Sequence, residues 1–383
     1  MWRGSSSARS SAEGDPDSGV SIDTVPFVSG HLTRAREFLG PAGVDALLIV
    51  KAENRRYVTG FTGSAGLALV TPDVTFLAVD FRYEEQAVAE APQCTVLRGG
   101  RDPVAALVGA LKASAIRSIG FEAEYVPFAQ VTRLREKLAP AELIPLADVD
   151  RLRWVKDAGE LAAISRAVEI ADAAFAQMLS VLRPGLTEQD AALELELSMR
   201  RAGAERVAFD TVLASGPRSA LPHGRATNRR MEAGELVTLD FGAVSDGYCS
   251  DCTRTVALAA ADDRQRRIYD VVLAAQRQAL ATIRAGVPCR EVDASARAVI
   301  ASAGFGEAFG HSLGHGLGLE VHEGPRLAPQ EEAVLEAGMV LTVEPGIYLP
   351  GWGGVRIEDD VVVTADGCAI LTTAPKDLRI LPA

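Results

Sequence analysis

Five residues of metal-binding type stand in short, punctuated segments of this chain. Asp240, Asp251, His315, Glu344 and Glu358 lie in TLDFG, CSDCT, GHGLG, VEPG and RIEDD. Four carboxylates and one imidazole suit a pair of hard-to-borderline divalent cations that carboxylates can bridge. Four acids that met without cations would carry a large cost of desolvation and repulsion. The set therefore predicts a metal site.

Strand-like alternation explains how these acids could converge. Asp240, Glu344 and Glu358 each lie on the face opposite an apolar set, in segments 236–241, 339–344 and 354–363. Asp251 shares a face with Cys249, Thr253 and Thr255. An alternation of period two means that one face is core and the other looks elsewhere. We expect four strands, each of which presents an acid near a polar end.

Four histidines belong to the same part of the chain, and three of them fall in GHSLGHGLGLEVHEGP. His315 is the expected metal ligand. His322 and His223 are expected to hydrogen-bond the substrate or the developing oxyanion. His311 fits either the wall of the substrate pocket or a structural role. The surrounding glycines allow close backbone approach to a bound group.

Length and composition bound the class of protein. The chain has 383 residues, 48% of them hydrophobic and 23% charged, which suits a globular protein with two domains. A net charge of −12, without any basic run, argues against a nucleic-acid partner. No apolar stretch reaches the roughly 18 residues of a membrane span. Residues 1–30 read as a disordered tail, because they are rich in Ser, Gly and Asp.

The cysteines favour reduced thiols and a cytoplasmic location. They are an odd, scattered set: Cys94, Cys249, Cys252, Cys289 and Cys368. Cys249 and Cys252 form a C-x-x-C, which could be a redox or zinc motif. The simpler interpretation is two small buried residues that flank Asp251, since no second cysteine pair completes a zinc site.

The first unit, 31–150, is predicted to be an α/β domain without catalytic residues of its own. HLTRAREFLG is typical of a helix, with His31 on its surface. DALLIV, YVTGFTGSAGLALV and VTFLAVDFRY are typical of strands. A charged stretch then opens a new unit, and Asp157 with Glu160 resembles a capping box at the start of an amphipathic helix.

The second unit, 151–383, contains a faint internal repeat. Residues 182–203 parallel residues 283–304, each with Arg and Gly near the start and Ala-Gly at the end. In each copy helices precede strands that carry residues of the metal set. The expected fold is α+β, with two halves that face each other across the site as a pseudo-twofold repeat.

Long segments around these residues resemble one family. The segments are FDTVLASGPRSALPHG, LVTLDFGAVSDGYCSDCTRT, GHSLGHGLGLEVHEGP, LTVEPGIY and GGVRIEDD. They are similar to the proline-specific metallopeptidases of the pita-bread fold, which include aminopeptidase P and prolidase and are related to methionine aminopeptidase. NRRYVTGFTGSAG and VDFRYEEQA resemble the creatinase-like N-terminal domain of the short bacterial Xaa-Pro peptidases. The tail 1–30 has no counterpart.

The resemblance implies a role for each residue of the set. Asp240 would bind one metal with both oxygens, Asp251 and Glu358 would bridge two metals, and His315 and Glu344 would complete the second. A water between the metals would have its pKa lowered toward about 7, and Glu344 could take and return its proton. The family's usual metal is manganese, while the ligands also permit cobalt or zinc.

The same resemblance implies peptides with proline at the second position as substrates, and a homodimer. An Xaa-Pro aminopeptidase is the first interpretation and an Xaa-Pro dipeptidase the alternative. A strict dipeptidase must bind the free carboxylate of the product proline, ideally with an arginine. Four arginines are candidates: Arg55, Arg56, Arg218 and Arg356. Arg356 could instead support a bridging carboxylate.

Three further classes are disfavoured. A non-catalytic pita-bread binding module would have lost ligands, and here all five positions are filled. The same observation argues against a metal-free creatinase-type hydrolase. A methionine aminopeptidase normally lacks the creatinase-like N-terminal domain that this chain resembles.

Overall fold

The computed structural model describes residues 29–112 and 114–383, so the expected tail lies outside the described residues up to position 28. The first unit has five helices: α1 (Ser29–Ala42), α2 (Ala52–Thr59), α3 (Glu84–Glu90), α4 (Pro103–Leu111) and α5 (Phe128–Leu138). Its six strands are β1 (Ala46–Ile49), β2 (Leu67–Val70), β3 (Thr75–Val79), β4 (Thr95–Arg98), β5 (Ser118–Glu122) and β6 (Glu142–Leu146).

These strands form one mixed sheet in the order β4-β3-β2-β1-β5-β6. Strand β2 runs antiparallel to both β1 and β3, whereas β1 pairs with β5 in parallel. All four residues of β1 and of β2 are buried, as expected for a sheet that helices cover on both faces. The α/β prediction for this unit is confirmed.

Two local predictions in this unit are wrong. Tyr57 and Val58 were expected in a strand, but they lie in the last turn of helix α2. Gly60 follows this helix as its C-cap, in the left-handed conformation. His31 was expected on the surface, but it is only 2% exposed. It stacks on Tyr57 and lies 2.9 Å from Asp157, so the partner that buries it comes from the other unit of the chain.

The second unit follows a short 3-10 helix, Val149–Arg153. It has four long helices: α6 (Ala158–Val181), α7 (Glu188–Arg201), α8 (Asp263–Thr282) and α9 (Cys289–Ser302). Two more 3-10 helices span Gly216–Ala220 and Gly306–Ala308. The predicted capping box is confirmed, since the Asp157 and Glu160 side chains each accept the other's backbone N–H.

The strands of this unit build two main sheets and two small ones. The first main sheet has the order β20-β12-β9-β8 and the second the order β14-β13-β15-β18-β19, while β11-β10-β7 and β16-β17 form the small ones. The strands are β7 (Arg206–Val207), β8 (Val212–Ser215), β9 (Leu236–Phe241), β10 (Ala243–Ser245), β11 (Tyr248–Cys249), β12 (Cys252–Leu258), β13 (Gly314–Gly316), β14 (Glu323–Leu327), β15 (Val340–Val343), β16 (Gly346–Leu349), β17 (Gly353–Arg356), β18 (Asp359–Val363), β19 (Cys368–Ile370) and β20 (Ile380–Leu381).

The predicted internal repeat is visible as two helix pairs, each packed on its own sheet. Helices α6 and α7 share a core with β9, and helices α8 and α9 share a second core with β15. Gly185 and Gly203 flank α7, Gly286 and Gly304 flank α9, and all four have a positive φ. Glycine tolerates that conformation, which explains why both copies keep it at these turns.

None of the helices in the described part of the chain is both long enough and apolar enough to cross a bilayer.

Candidate metal centre

The five predicted ligands meet between the two main sheets. Asp240 lies in β9, as expected, and His315 lies in β13. The other three acids lie just outside strands: Asp251 between β11 and β12, Glu344 directly after β15, and Glu358 between β17 and β18. The expectation of four acid-bearing strands is therefore wrong for these three, which lie within two residues of strand ends.

Their donor atoms are close enough to share cations. One ligand atom each of Asp251, His315 and Glu358 lies within 4.8 Å of the others. His315 Nε2 is 3.5 Å from Glu344 Oε1. Asp240 Oδ1 is buried and has no hydrogen-bond partner within the described residues. A buried, unpartnered carboxylate oxygen beside such a cluster is costly unless a cation meets it.

The tautomer and the protonation state of His315 suit a metal ligand. Its Nδ1 lies 3.0 Å from the Gly316 carbonyl oxygen, which only accepts, so Nδ1 holds the proton. Burial, with the charge of His322, lowers the pKa of His315 to about 4. The ring is thus neutral at pH 7, and the Nε2 lone pair faces the acids.

The acids repel one another without cations. Burial and the charges of Glu358, Asp240, Asp360 and Glu344 raise the pKa of Asp251 well above its usual range. Burial and Asp240 raise the pKa of Glu358 to about 8. Oxygen and imidazole donors of this kind suit divalent cations, so the residues present fit the predicted metal pair.

Arg356 contacts two acids of the cluster, Asp240 directly and Glu358 through the Thr253 hydroxyl. It is 3% exposed, and its Nη2 donates to Asp240 Oδ2 at 2.5 Å. Its Nε donates to Thr253 Oγ1, and that hydroxyl donates to Glu358 Oε2 at 2.6 Å. Nη1 donates to the Tyr348 hydroxyl. Each of its donor nitrogens meets a protein atom, which favours the alternative that Arg356 supports the carboxylates of Asp240 and Glu358. Its contact with substrate stays a prediction, because Arg356 also lines the cavity.

The centre opens into a cavity of about 530 Å³, which is lined by the five predicted ligands, by His223, His311 and His322, and by Arg356. His223 and His322 are exposed on its wall. The ring of His322 meets that of His315 edge-on, with centroids 4.5 Å apart. His311 is half-buried and lies 2.9 Å from the Tyr348 hydroxyl. It therefore has both a structural contact and a place on the cavity wall.

The glycines around His315 have a different function from the one expected. A Cβ on Gly314 would collide with the Thr342 carbonyl oxygen, and one on Gly316 with the Gly324 carbonyl oxygen. They allow neighbouring strands to approach β13, rather than a bound group to approach the backbone.

Arg326 is one of the cavity residues that the sequence analysis did not name. Arg326 lines the cavity and pairs directly with His315 across β13 and β14, so the two side chains share a face. Within residues 29–112 and 114–383, no carboxylate lies at ion-pair distance from it. The available signal was its position just after the His322 segment. The pairing also requires a register shift after His315, which the sequence does not reveal.

Three arginines proposed for a substrate carboxylate lie elsewhere. Arg55 is buried and donates to the carbonyl oxygens of residues 50, 63 and 66. Arg56 donates to the Asp246 carbonyl oxygen, at the contact between the two units. Arg218 pairs with Glu188. None of the three lines the cavity.

The C-x-x-C cysteines are buried free thiols on either side of Asp251. Burial raises the pKa of Cys249 to about 12. Such thiols are poor metal ligands and poor nucleophiles, which supports the interpretation of Cys249 and Cys252 as small core residues.

Comparison with known proteins agrees with the geometry. The family described as Metallopeptidase family M24 matches residues 162–365, and the Creatinase/Prolidase N-terminal domain matches residues 31–155. The chain therefore belongs to metallopeptidase family M24, whose members use divalent metals.

Particular relatives resemble nearly the whole chain. A solved Xaa-Pro dipeptidase from Bacillus anthracis is 44% identical, with a TM-score of 0.89, over 92% of this chain and 99% of its own. A solved X-Pro aminopeptidase from Thermotoga maritima is 41% identical, with a TM-score of 0.84, over 91% and 99%. The Xaa-Pro dipeptidase of Pyrococcus horikoshii is 39% identical over 89% of this chain and 96% of its own.

Proposed function

We propose that this chain is a metal-dependent Xaa-Pro dipeptidase. This activity was the alternative in the sequence analysis, where an Xaa-Pro aminopeptidase was the first interpretation. Relatives named as Xaa-Pro dipeptidases support the substrate class. The observation that carries the proposal is Arg326, a guanidinium on the cavity wall that is cross-strand partner to His315. It is suited to the free carboxylate of a proline that ends the substrate.

The residues that would hold the metals are Asp240, Asp251, His315, Glu344 and Glu358, among which Asp251, His315 and Glu358 have ligand atoms within 4.8 Å of one another. Two divalent cations, manganese by preference and cobalt or zinc as alternatives, supply Lewis acidity that activates a water and polarises the scissile carbonyl.

The protein's own side chains do the rest. Glu344 takes a proton from the attacking water and returns it to the proline nitrogen as the C–N bond breaks. His322 and His223 reach the cavity from its wall and hydrogen-bond the substrate carbonyl and the tetrahedral intermediate. His311 lines the cavity, and its hydrogen bond with the buried Tyr348 hydroxyl fixes its ring there. Arg326 fixes the terminal carboxylate.

The test is kcat/KM of the manganese-loaded protein for an Xaa-Pro dipeptide against Xaa-Pro-Xaa tripeptides. We expect a preference for the dipeptide, and Arg326→Gln to lower dipeptide turnover by about 10²-fold or more, in the range of a lost charge-assisted contact. Tripeptide turnover should change far less.

Arg225→Gln is the matched control. Arg225 lines the same cavity, but its guanidinium lies 3.1 Å from Asp210. The control should keep the ratio of dipeptide to tripeptide turnover. Equal or better cleavage of tripeptides by the unsubstituted protein would return the assignment to an Xaa-Pro aminopeptidase.

A homodimer and a cytoplasmic location complete the proposal. The free thiols of all five cysteines suit a reducing compartment. Light scattering of the purified protein tests the dimer, and fractionation of the source cells tests the location.

A further inference from the structure

His322 depends on its backbone for its position. Within the described ranges its imidazole makes no side-chain hydrogen bond, and its ring contact is with His315. It belongs to the loop 317–322 between β13 and β14. The loop's backbone bonds include Gly318 N–H to the Glu320 carbonyl and Cys249 N–H to the Gly318 carbonyl. An exposed side chain on such a loop faces the centre only if the loop itself is fixed.

An ion network contacts this loop and its end at β14, and none of its members Arg153, Lys156, Glu320 and Glu323 lines the cavity. The Glu323 carboxylate, which is fully buried, pairs with Arg153 and with Lys156 Nζ at 3.0 Å. It also accepts the Glu320 backbone N–H at 3.2 Å. Burial raises the pKa of Glu323, but Arg153 and Lys156 outweigh it and hold the pKa below its usual range. The carboxylate therefore stays charged and ties the loop to the segment that joins the two units.

The same network reaches into the N-terminal unit. Arg153 Nη2 is 2.5 Å from Glu320 Oε2, and Lys51 Nζ is 2.6 Å from the same oxygen. Arg153 Nε donates to Asn54 Oδ1 at 2.7 Å, and Asn54 donates in turn to Glu122 at 2.7 Å. The Glu320 carboxylate thus pairs with two basic side chains, Arg153 from the linking segment and Lys51 from the α/β domain.

We propose that Arg153 and Lys51 are positioning residues: through Glu320 and Glu323 they fix the loop 317–322 so that His322 faces the metal centre. The proposal rests on the role given to His322 above. None of the described residues of the N-terminal domain lines the cavity, so the proposal gives that domain an indirect part in turnover. A charge network whose members are all satisfied is rigid, and loss of one member releases the rest.

The experiment uses the two more accessible members, Lys51→Met and Glu320→Gln, because Arg153 is fully buried. Arg34→Met is the matched control. Arg34 also joins the units, by donating to the Val155 carbonyl oxygen at 2.7 Å, but it makes no contact with the loop. We expect Lys51→Met and Glu320→Gln to lower kcat on the Xaa-Pro dipeptide by about 10- to 100-fold, as misplacement of a catalytic group does. KM and metal content should stay within about twofold, and Arg34→Met should be unchanged.

A double-mutant cycle and hydrogen exchange separate positioning from general damage. In a His322→Ala background, Glu320→Gln should have no further effect on kcat if it acts through His322. In the metal-free protein, Glu320→Gln should speed amide exchange of residues 317–322, and Arg34→Met should not.

Full additivity in the cycle, or unchanged exchange of the loop, would overturn the positioning role. A protein that cleaves no Xaa-Pro substrate would overturn the proposed function instead, and the exchange comparison would still decide the proposal about the loop.

Discussion

At the residue scale, the candidate metal centre brings together buried acids whose mutual repulsion a divalent cation would relieve. Asp251 and Glu358 lie at its middle, and each has its pKa raised by burial and by neighbouring carboxylates. A bound cation would offset this repulsion. A carboxylate that contacts two cations would balance part of the charge of each. The consequences for activity can be measured directly.

Removal of metal should abolish turnover. We expect protein stripped by a chelator to be inactive, and manganese or cobalt to restore it. Asp251→Asn and Glu358→Gln should each eliminate activity, because a neutral amide cannot balance the charge of two cations. Activity is measured on the Xaa-Pro dipeptide beside the metal content of the same sample. Full activity in exhaustively metal-free protein would contradict the metal centre.

The histidines should divide into one ligand and two substrate-binding groups. His315→Ala should lose metal and activity together, because Nε2 faces the acids. His322→Ala and His223→Ala should keep near-normal metal but lower kcat by about 10²-fold or more, the usual effect of losing an oxyanion donor. Elemental analysis of the purified variants decides between the roles, and a metal-free His322→Ala protein would make His322 a ligand.

At the element scale, strand β13 must lie close to its neighbours for His315 to reach the acids. Gly314→Ala would place a Cβ against the Thr342 carbonyl oxygen and push β13 away from β15. We expect the metal affinity of this variant to be at least about tenfold lower, because a ligand displaced by a few tenths of an ångström no longer fits a metal's preferred geometry. Gly310→Ala is the control, since the Cβ that this substitution adds would have no atom within 4 Å. Equal metal affinity of the two variants would show that β13 tolerates the displacement.

Local patterns in the sequence were sufficient for some elements and not for others. The alternation in 236–241 predicted strand β9 with Asp240 on its polar face, and Asp157 with Glu160 predicted the start of α6. Both depend on neighbours in sequence. The place of Arg326 depends on a register shift between strands, which no local pattern records. For that reason the place of Asp240 on the polar face of β9 was predictable, whereas the place of the Arg326 guanidinium on the cavity wall was not.

At the scale of the whole molecule, contacts between the two units escaped the sequence analysis. His31 was expected on the surface of its helix. In the fold it is buried against the capping box of α6, with Nε2 2.9 Å from Asp157 and 3.2 Å from Glu160. Its Nδ1 lies 3.0 Å from the Tyr57 carbonyl oxygen. Both ring nitrogens thus face acceptors, which favours the imidazolium.

This contact should make the stability of the protein depend on pH. Burial lowers the pKa of His31, but the hydrogen bond and charge of Glu160, with Asp157 and the Tyr57 carbonyl, outweigh it, so the pKa is raised above 6.5. A raised pKa in the folded state contributes stability that is fully present below the unfolded value of about 6.5 and is lost as pH rises through the folded pKa. Each unit of the shift is worth roughly 1.4 kcal/mol.

The measurement is the difference in free energy of unfolding between the unsubstituted protein and His31→Gln, from pH 5.5 to pH 9. We expect the difference to be largest below about pH 6.5 and to shrink as the imidazolium loses its proton. Arg34→Met is the control, because Arg34 joins the same helix to Val155 and stays charged throughout this range. Its difference should not change with pH. A His31→Gln difference that is equally flat would mean that the ring is neutral, and that packing on Tyr57 rather than charge holds the N-terminal helix against α6.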